Sequence, residues 1–141
     1  MRTIARSSTQ TSLVSLAVSH GGVDVYQGAI AALVPVFVHE RNYTLSAAAM
    51  IVLAASLTSS IIQPLFGYLG DRWQMRWLVP ASILVAGLGL SSISVSSAYW
   101  VTVVLAAITG IGVAAFHPAA ARLARDISGA DHVLMSWFSL G

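Results

Sequence analysis

Three polar side chains interrupt an apolar stretch near the start of the chain: His20, Asp24 and Gln27. Their spacings of four and three residues bring them onto one face of a helix. An acid in the middle of an apolar span costs about 2.5–3.5 kcal/mol on insertion scales, so Asp24 should face protein or water rather than lipid. Two readings stand open for this stripe. It is a proton or substrate site, or it hydrogen-bonds to Ser or Thr of a neighbouring helix. A second histidine poses the same choice. His117 sits in the run Gly110-Ile-Gly112-Val-Ala-Ala-Phe-His117-Pro118-Ala-Ala-Ala-Arg122. Pro118 cannot bond back to Ala114, so a carbonyl opens beside His117 and a kink is expected.

The elements that must carry these residues follow from composition. Of 141 residues, 57% are hydrophobic and only 9% charged, and there is no Lys. Soluble domains carry roughly 25% charged residues, so this chain lacks the means to cover a water-facing surface. A span needs about 20 mostly apolar residues. Segments 13–38, 46–69, 77–96 and 99–121 meet that length, and a fifth begins near His132. Lipid offers no partners to free backbone groups, so the spans should be helices. The fold class expected is all-α integral membrane, with four transmembrane helices and the start of a fifth in one membrane domain. The period-2 alternation of a membrane barrel is missing. Thr44 and Ser46 can cap the second span, Ser96 and Ser97 the fourth, and Asp131 the fifth. Pro80 falls in the first turn of the third, where its missing N–H costs little. Arg2 and Arg6 before Leu13–Val18 resemble a secretory signal, but no cleavage site follows and the apolar run continues to Val38.

The remaining polar groups are weighed in the same way. Ser56, Ser59, Ser60, Gln63 and Gly67 mark one side of the second span, where small hydroxyl residues permit close helix packing. Gln63 is larger and precedes Pro64, which frees the Ser60 carbonyl, so it can line a cavity. Gly110 and Gly112 let another backbone approach the fourth span. The link Gly67-Tyr-Leu-Gly-Asp71-Arg72-Trp-Gln-Met-Arg76 turns the chain between two spans. There Asp71 can accept bonds from a helix N-terminus, and Arg72 and Arg76 can pair with an acid such as Asp126 or with lipid headgroups. From physics alone this is a basic loop that sets topology. Arg2, Arg6, Arg72, Arg76, Arg122 and Arg125 fall on one side of the bundle and only Arg41 on the other. The positive-inside rule then puts the N-terminus in the cytoplasm. Tyr43, Tyr99 and Trp100 lie near the outer boundary and Trp73 and Trp77 near the inner one.

The string Gly67-x-Leu69-x-Asp71-Arg72-x-x-x-Arg76 resembles the loop signature of the major facilitator superfamily, with Gln74 in place of the usual Gly. More specific are His20-Gly-x-x-Asp24-x-x-Gln27-Gly28, Ser59-Ser60-x-x-Gln63-Pro64-Leu65-Phe66-Gly67 and Ala115-Phe116-His117-Pro118-Ala119-Ala120-Ala121-Arg122. Together they resemble the fosmidomycin-resistance branch. The likeness extends to Met135-Ser136-x-Phe138-Ser139-x-Gly141. It implies a bacterial inner-membrane drug exporter, a proton antiporter with alternating access, built from two six-helix halves. This chain would then be the N-terminal part of one, partnered by a missing C-terminal half, the lipid bilayer, protons and a small-molecule substrate. Ala106 stands where drug–proton antiporters of this kind carry a coupling Arg, so coupling would pass to Asp24 or His117.

At about 1.5 Å per residue, His20 lies about 6 Å below Asp24, and His117 about 10 Å past the midpoint of an antiparallel span. The two histidines therefore fall at similar depth; the resemblance implies that the first and fourth spans both border the central cavity, so one polar site of His20, Asp24 and His117 is expected. Gln27 and Gln63 join them as candidates for the pathway; Gly67, Asp71, Arg72 and Arg76 form the loop signature, and Pro118 and Arg122 end the fourth span. Two alternatives are a four-helix dimeric transporter of the small multidrug-resistance kind and a membrane scaffold. The former rests on a Glu in its first helix, whereas the one Glu here is Glu40, in an outer loop. The latter has no use for an intramembrane acid beside two histidines. No enzyme, cofactor or nucleic-acid partner is expected: the net charge is only +2 and Cys is absent. His20 with Asp24 would need a third ligand to hold a metal, and the spacing along the chain supplies none, so no metal is expected.

Overall fold

The computed structural model describes residues 2–73, 75–129, 135, 136 and 138, with side chains from Gln10 onward. Helices α1 (Arg2–Ala32), α2 (Val34–His39), α3 (Leu45–Arg72), α4 (Leu78–Val95) and α5 (Tyr99–Ser128) account for almost all of it. α1 with α2, and α3, α4 and α5 singly, are long and apolar enough to cross a membrane. The protein is thus an all-helical, multi-pass membrane protein. The expected fifth helix and its Asp131 cap lie largely outside the described residues.

The outer helices α1 and α4 each bury one stripe. On α1 it runs Leu13, Leu16, Val23 and Ile30; on α4 Val79, Ser82, Ala86, Gly89 and Ile93. These steps of three, four or seven residues keep one face toward the bundle. Faces turned away from the bundle carry exposed apolar residues such as Val18, Leu57, Ile61 and Leu88. Such a surface suits lipid rather than water.

α5 is the centre, packed against α1, α3 and α4. Two glycines explain how it fits. A Cβ on Gly110 would collide with the Ala55 carbonyl of α3, and one on Gly112 would stand 2.5 Å from the Ala86 nitrogen of α4. The backbones therefore approach as small residues alone allow.

The first span differs from the continuous helix expected over 13–38. The helix begins at Arg2 and is broken at Leu33, with Pro35 in the first turn of α2. Pro35 lacks the N–H that would reach back to Ala31, which is the physical reason for a break there. α3 and α5, by contrast, run through Pro64 and Pro118 without interruption. Asn42 then turns the chain with φ 56°, a conformation Asn tolerates better than most residues.

Thr44 caps α3, accepting from the Ala47 N–H at 3.1 Å. The caps expected from Ser96 and Ser97 do not form. Ala98 is the cap residue of α5 and offers no side-chain bond, while the Ser97 carbonyl accepts from the Tyr43 hydroxyl at 3.2 Å. At the same end Arg41 donates to the Ile93 and Ser94 carbonyls at 2.7 and 3.2 Å and to the Thr102 hydroxyl at 3.3 Å. A helix C-terminus leaves carbonyls without intrahelical partners and carries partial negative charge, so a guanidinium suits the end of α4. Arg41 is thus a structural cation joining α2 to α4 and α5.

Candidate functional site

α1 and α5 bring His20, Asp24 and His117 together. His20 Nε2 stands 3.7 Å from Asp24 Oδ2, and His117 Nε2 stands 3.6 Å from Asp24 Oδ1. The two imidazole rings meet edge to face, 5.2 Å between centroids. His20 and Asp24 are one turn apart on α1, so the pair is local. His117 reaches them because α5 places Phe116 in the same core cluster as Leu13, Leu16 and Val23 of α1. Asp24 is about half exposed at 49%, the histidines 20% and 23%.

Aromatic packing fixes the rings. His20 stacks on Phe138 with centroids 5.0 Å apart and lies over Phe116 at 6.1 Å. Its Nδ1 donates to the Phe138 carbonyl at 3.4 Å. A carbonyl only accepts, so this bond assigns a proton to Nδ1 and turns Nε2 toward Asp24. Phe116 and Phe138 were not among the residues that chemistry alone selected. Their signal is only adjacency, Phe116 standing next to His117 and Phe138 lying beyond α5.

His20 and His117 open on a recess of about 500 Å³, also lined by Gln27, Ser59, Ser60, Gln63 and Phe138. Gln27 and Gln63 therefore face the same space from α1 and α3. The serines of α3 divide: Ser59 is buried in the helix interface while Ser60 is exposed. Ala106 is fully buried among Ile30, Phe37, Ile51 and Ile93. An Arg there would be surrounded by hydrocarbon, whereas His117 is part of a polar group.

At the same end of the bundle the ion pair is not the expected Arg76–Asp126. Asp71 Oδ1 accepts from Arg122 Nη2 at 2.7 Å, and Arg122 also donates to the Gly67 carbonyl at 3.3 Å. Gly70 makes the space, since a Cβ there would collide with the Arg122 guanidinium. Arg72 lies over the Tyr68 ring at 4.8 Å. Arg76 and Asp126 both line a small recess of about 40 Å³ beside Gly70 and Arg122, and no ion pair joins them among the described residues. Gly67 and Asp71 thus bind one cation of α5, for which Gly70 leaves room, and a Cβ on Gly67 would stand 4.0 Å from Pro118, one turn before Arg122.

The family model of the Major Facilitator Superfamily matches residues 15–140. The chain belongs to this superfamily. The match is to a family of membrane transporters, not of enzymes. The chain is 33% identical over 130 residues to the fosmidomycin resistance protein of Escherichia coli (strain K12), covering 92% of this chain and 32% of that protein. This supports the fosmidomycin-resistance branch. It is 23% identical over 117 residues to the uncharacterized MFS-type transporter YfnC of Bacillus subtilis (strain 168), covering 83% of this chain and 29% of that protein. The chain thus spans about a third of the length of these superfamily relatives. No solved structure matches it.

Proposed function

We propose that the chain forms the N-terminal part of a secondary transporter of the bacterial inner membrane that exports a small molecule in exchange for protons. The observation that carries this reading is the cluster of His20, Asp24 and His117 within the spans, whose two histidines line one open recess. Intramembrane ionisable groups are expensive, and those that face a cavity mark ion or substrate paths. Imidazole changes charge near physiological pH when little perturbed. Gln27, Ser60 and Gln63 offer neutral donors and acceptors to a polar substrate, and the second half of the fold would supply the other wall of the path. Likeness to a fosmidomycin resistance protein makes a polar antibiotic the first substrate to try. The Asp71–Arg122 pair, with Gly67 and Gly70, serves as a latch at the cytoplasmic face.

The test is Asp24→Asn in the complete transporter. Drug binding should persist while export driven by a pH gradient falls at least tenfold, measured by uptake into everted vesicles. Unchanged pH-driven export in both Asp24→Asn and His117→Gln would overturn the assignment. The orientation is tested by labelling, which the absence of Cys makes simple. Asn42→Cys should react with an impermeant maleimide from outside and Met75→Cys should not; the reverse pattern refutes it.

A further inference from the structure

Spacing along the chain supplies His20 and Asp24 as two ligands of a metal site and no third; α5 supplies the third. We propose that His20, Asp24 and His117 bind one divalent transition-metal ion of the Zn2+ class. One ring nitrogen of His20, one of His117 and a carboxylate oxygen of Asp24 all lie within 4.8 Å of one another. Zn–N and Zn–O bonds are about 2.0–2.2 Å, which puts neighbouring ligands of a tetrahedral centre about 3.3 Å apart. His117 Nε2 and His20 Nε2 stand 3.6 and 3.7 Å from the two different oxygens of Asp24, Oδ1 and Oδ2, so both imidazoles face the carboxylate, and closing on one oxygen brings them to that spacing.

The charge arrangement points the same way. Where Nδ1, which faces the Phe138 carbonyl, carries the only proton of the His20 ring, Nε2 turns a lone pair toward the Asp24 carboxylate. Two acceptors facing each other need a positive centre between them. A shared proton draws charged partners to about 2.7–2.9 Å, well inside the 3.6 and 3.7 Å found here. A metal ion fits the wider gap. The Phe138 carbonyl is also the kind of outer partner that orients a metal-bound imidazole, and stacking on Phe138 and Phe116 holds the ring plane. His20 and His117 line the recess together with Gln27 and Gln63, so a fourth ligand, water or an anionic group of a substrate, can reach the ion from there. Imidazole with carboxylate, and no thiolate, suits Zn2+ rather than Cu(I). The site shares its side chains with the transport reading but does not depend on it.

The probe is Co2+, titrated into the full chain purified in detergent micelles and followed by its visible ligand-field absorption. One saturable site per chain, emptied by Zn2+, is expected. Asp24→Asn and His117→Gln should each weaken Co2+ binding at least tenfold, and His39→Gln, on the exposed end of α2, should leave it unchanged. Absence of a saturable site, or equal affinity in wild type, Asp24→Asn and His117→Gln, would overturn the proposal. X-ray absorption of the Zn2+-loaded wild type needs no variant to fold: it should show two imidazoles and one carboxylate oxygen, and a shell with fewer than two imidazoles refutes the site. Neither readout involves transport, so binding without export, or export without binding, separates the two readings.

Discussion

α1 and α5 are nearly equal in length, at 31 and 30 residues, and both are rich in small residues, yet the bundle uses them in opposite ways. Half of the apolar stretch of α5 is buried, against 17% for the first span. Gly110 and Gly112 of α5 are pressed against the backbones of α3 and α4; Gly22 and Gly28 of α1 have nothing within 4 Å among the described residues. Gly110 and Gly112 on α5 are thus a condition of packing, and among the described residues Gly22 and Gly28 on α1 are not. The polar chemistry lies on the seam between the two. Asp24 projects from the loosely packed helix, where it stays about half exposed, and His117 projects from the tightly packed one, which fixes its position.

Substitutions that add volume should separate the two helices most sharply. Gly110→Val places atoms where the Ala55 carbonyl already stands. Overpacking typically costs about 1–3 kcal/mol, and more where backbone is the obstacle. The expected result is the largest loss of thermal stability in micelles, read by circular dichroism; a variant within about 1 kcal/mol of wild type would break the comparison. Next comes Arg41→Ala. It strips three hydrogen bonds from the ends of α4 and α5, at a cost of about 1–3 kcal/mol for acceptors left without a partner. Loss of protection in hydrogen exchange should concentrate at residues 93–102.

Arg122→Ala removes the pair with Asp71, but Asp71 is 76% exposed. Exposed pairs contribute about 0–1 kcal/mol, so stability should barely change. The contact should matter to transport instead: wild-type export in this variant would remove the latch from the reading. Smallest of all is Gly28→Ala. With open space around it, the change should be neutral or stabilising by up to about 1 kcal/mol, because Gly is costly inside a helix. A destabilised Gly28→Ala would mean that α1 packs against something on that face, measurable as protection of the face from labelling.

The spans were legible because lipid enforces them: an apolar run of sufficient length must be a helix with its backbone bonds closed. The break at Leu33 was not, because Pro35 lies close enough to the end of the run to pass for its terminus. Caps were over-read at Ser96 and Ser97, since a hydroxyl before a helix is necessary for such a bond but does not select it. For the polar residues, depth along two antiparallel helices was enough to place His20 and His117 at one level. Their angular positions were not available from spacing, and those decide that both face Asp24. The choice of Arg122 over Arg76 as the partner at that face also needed three dimensions. The readable signal was Gly70, whose missing side chain makes room for a guanidinium from another helix.

The interruption at Leu33 has a mechanical consequence. The six residues of α2 form a rigid arm about 9 Å long, hinged at one end by the missing bond of Pro35. At the other end Arg41 tethers it to α4 and α5 by bonds of 2.7 to 3.3 Å. A swing of about 10° displaces the tip by about 1.6 Å, enough to stretch such bonds past their useful range. The arm is thus held at its tip by Arg41 and at its middle by Phe37, buried in the core, and lacks a bond only at the Pro35 end.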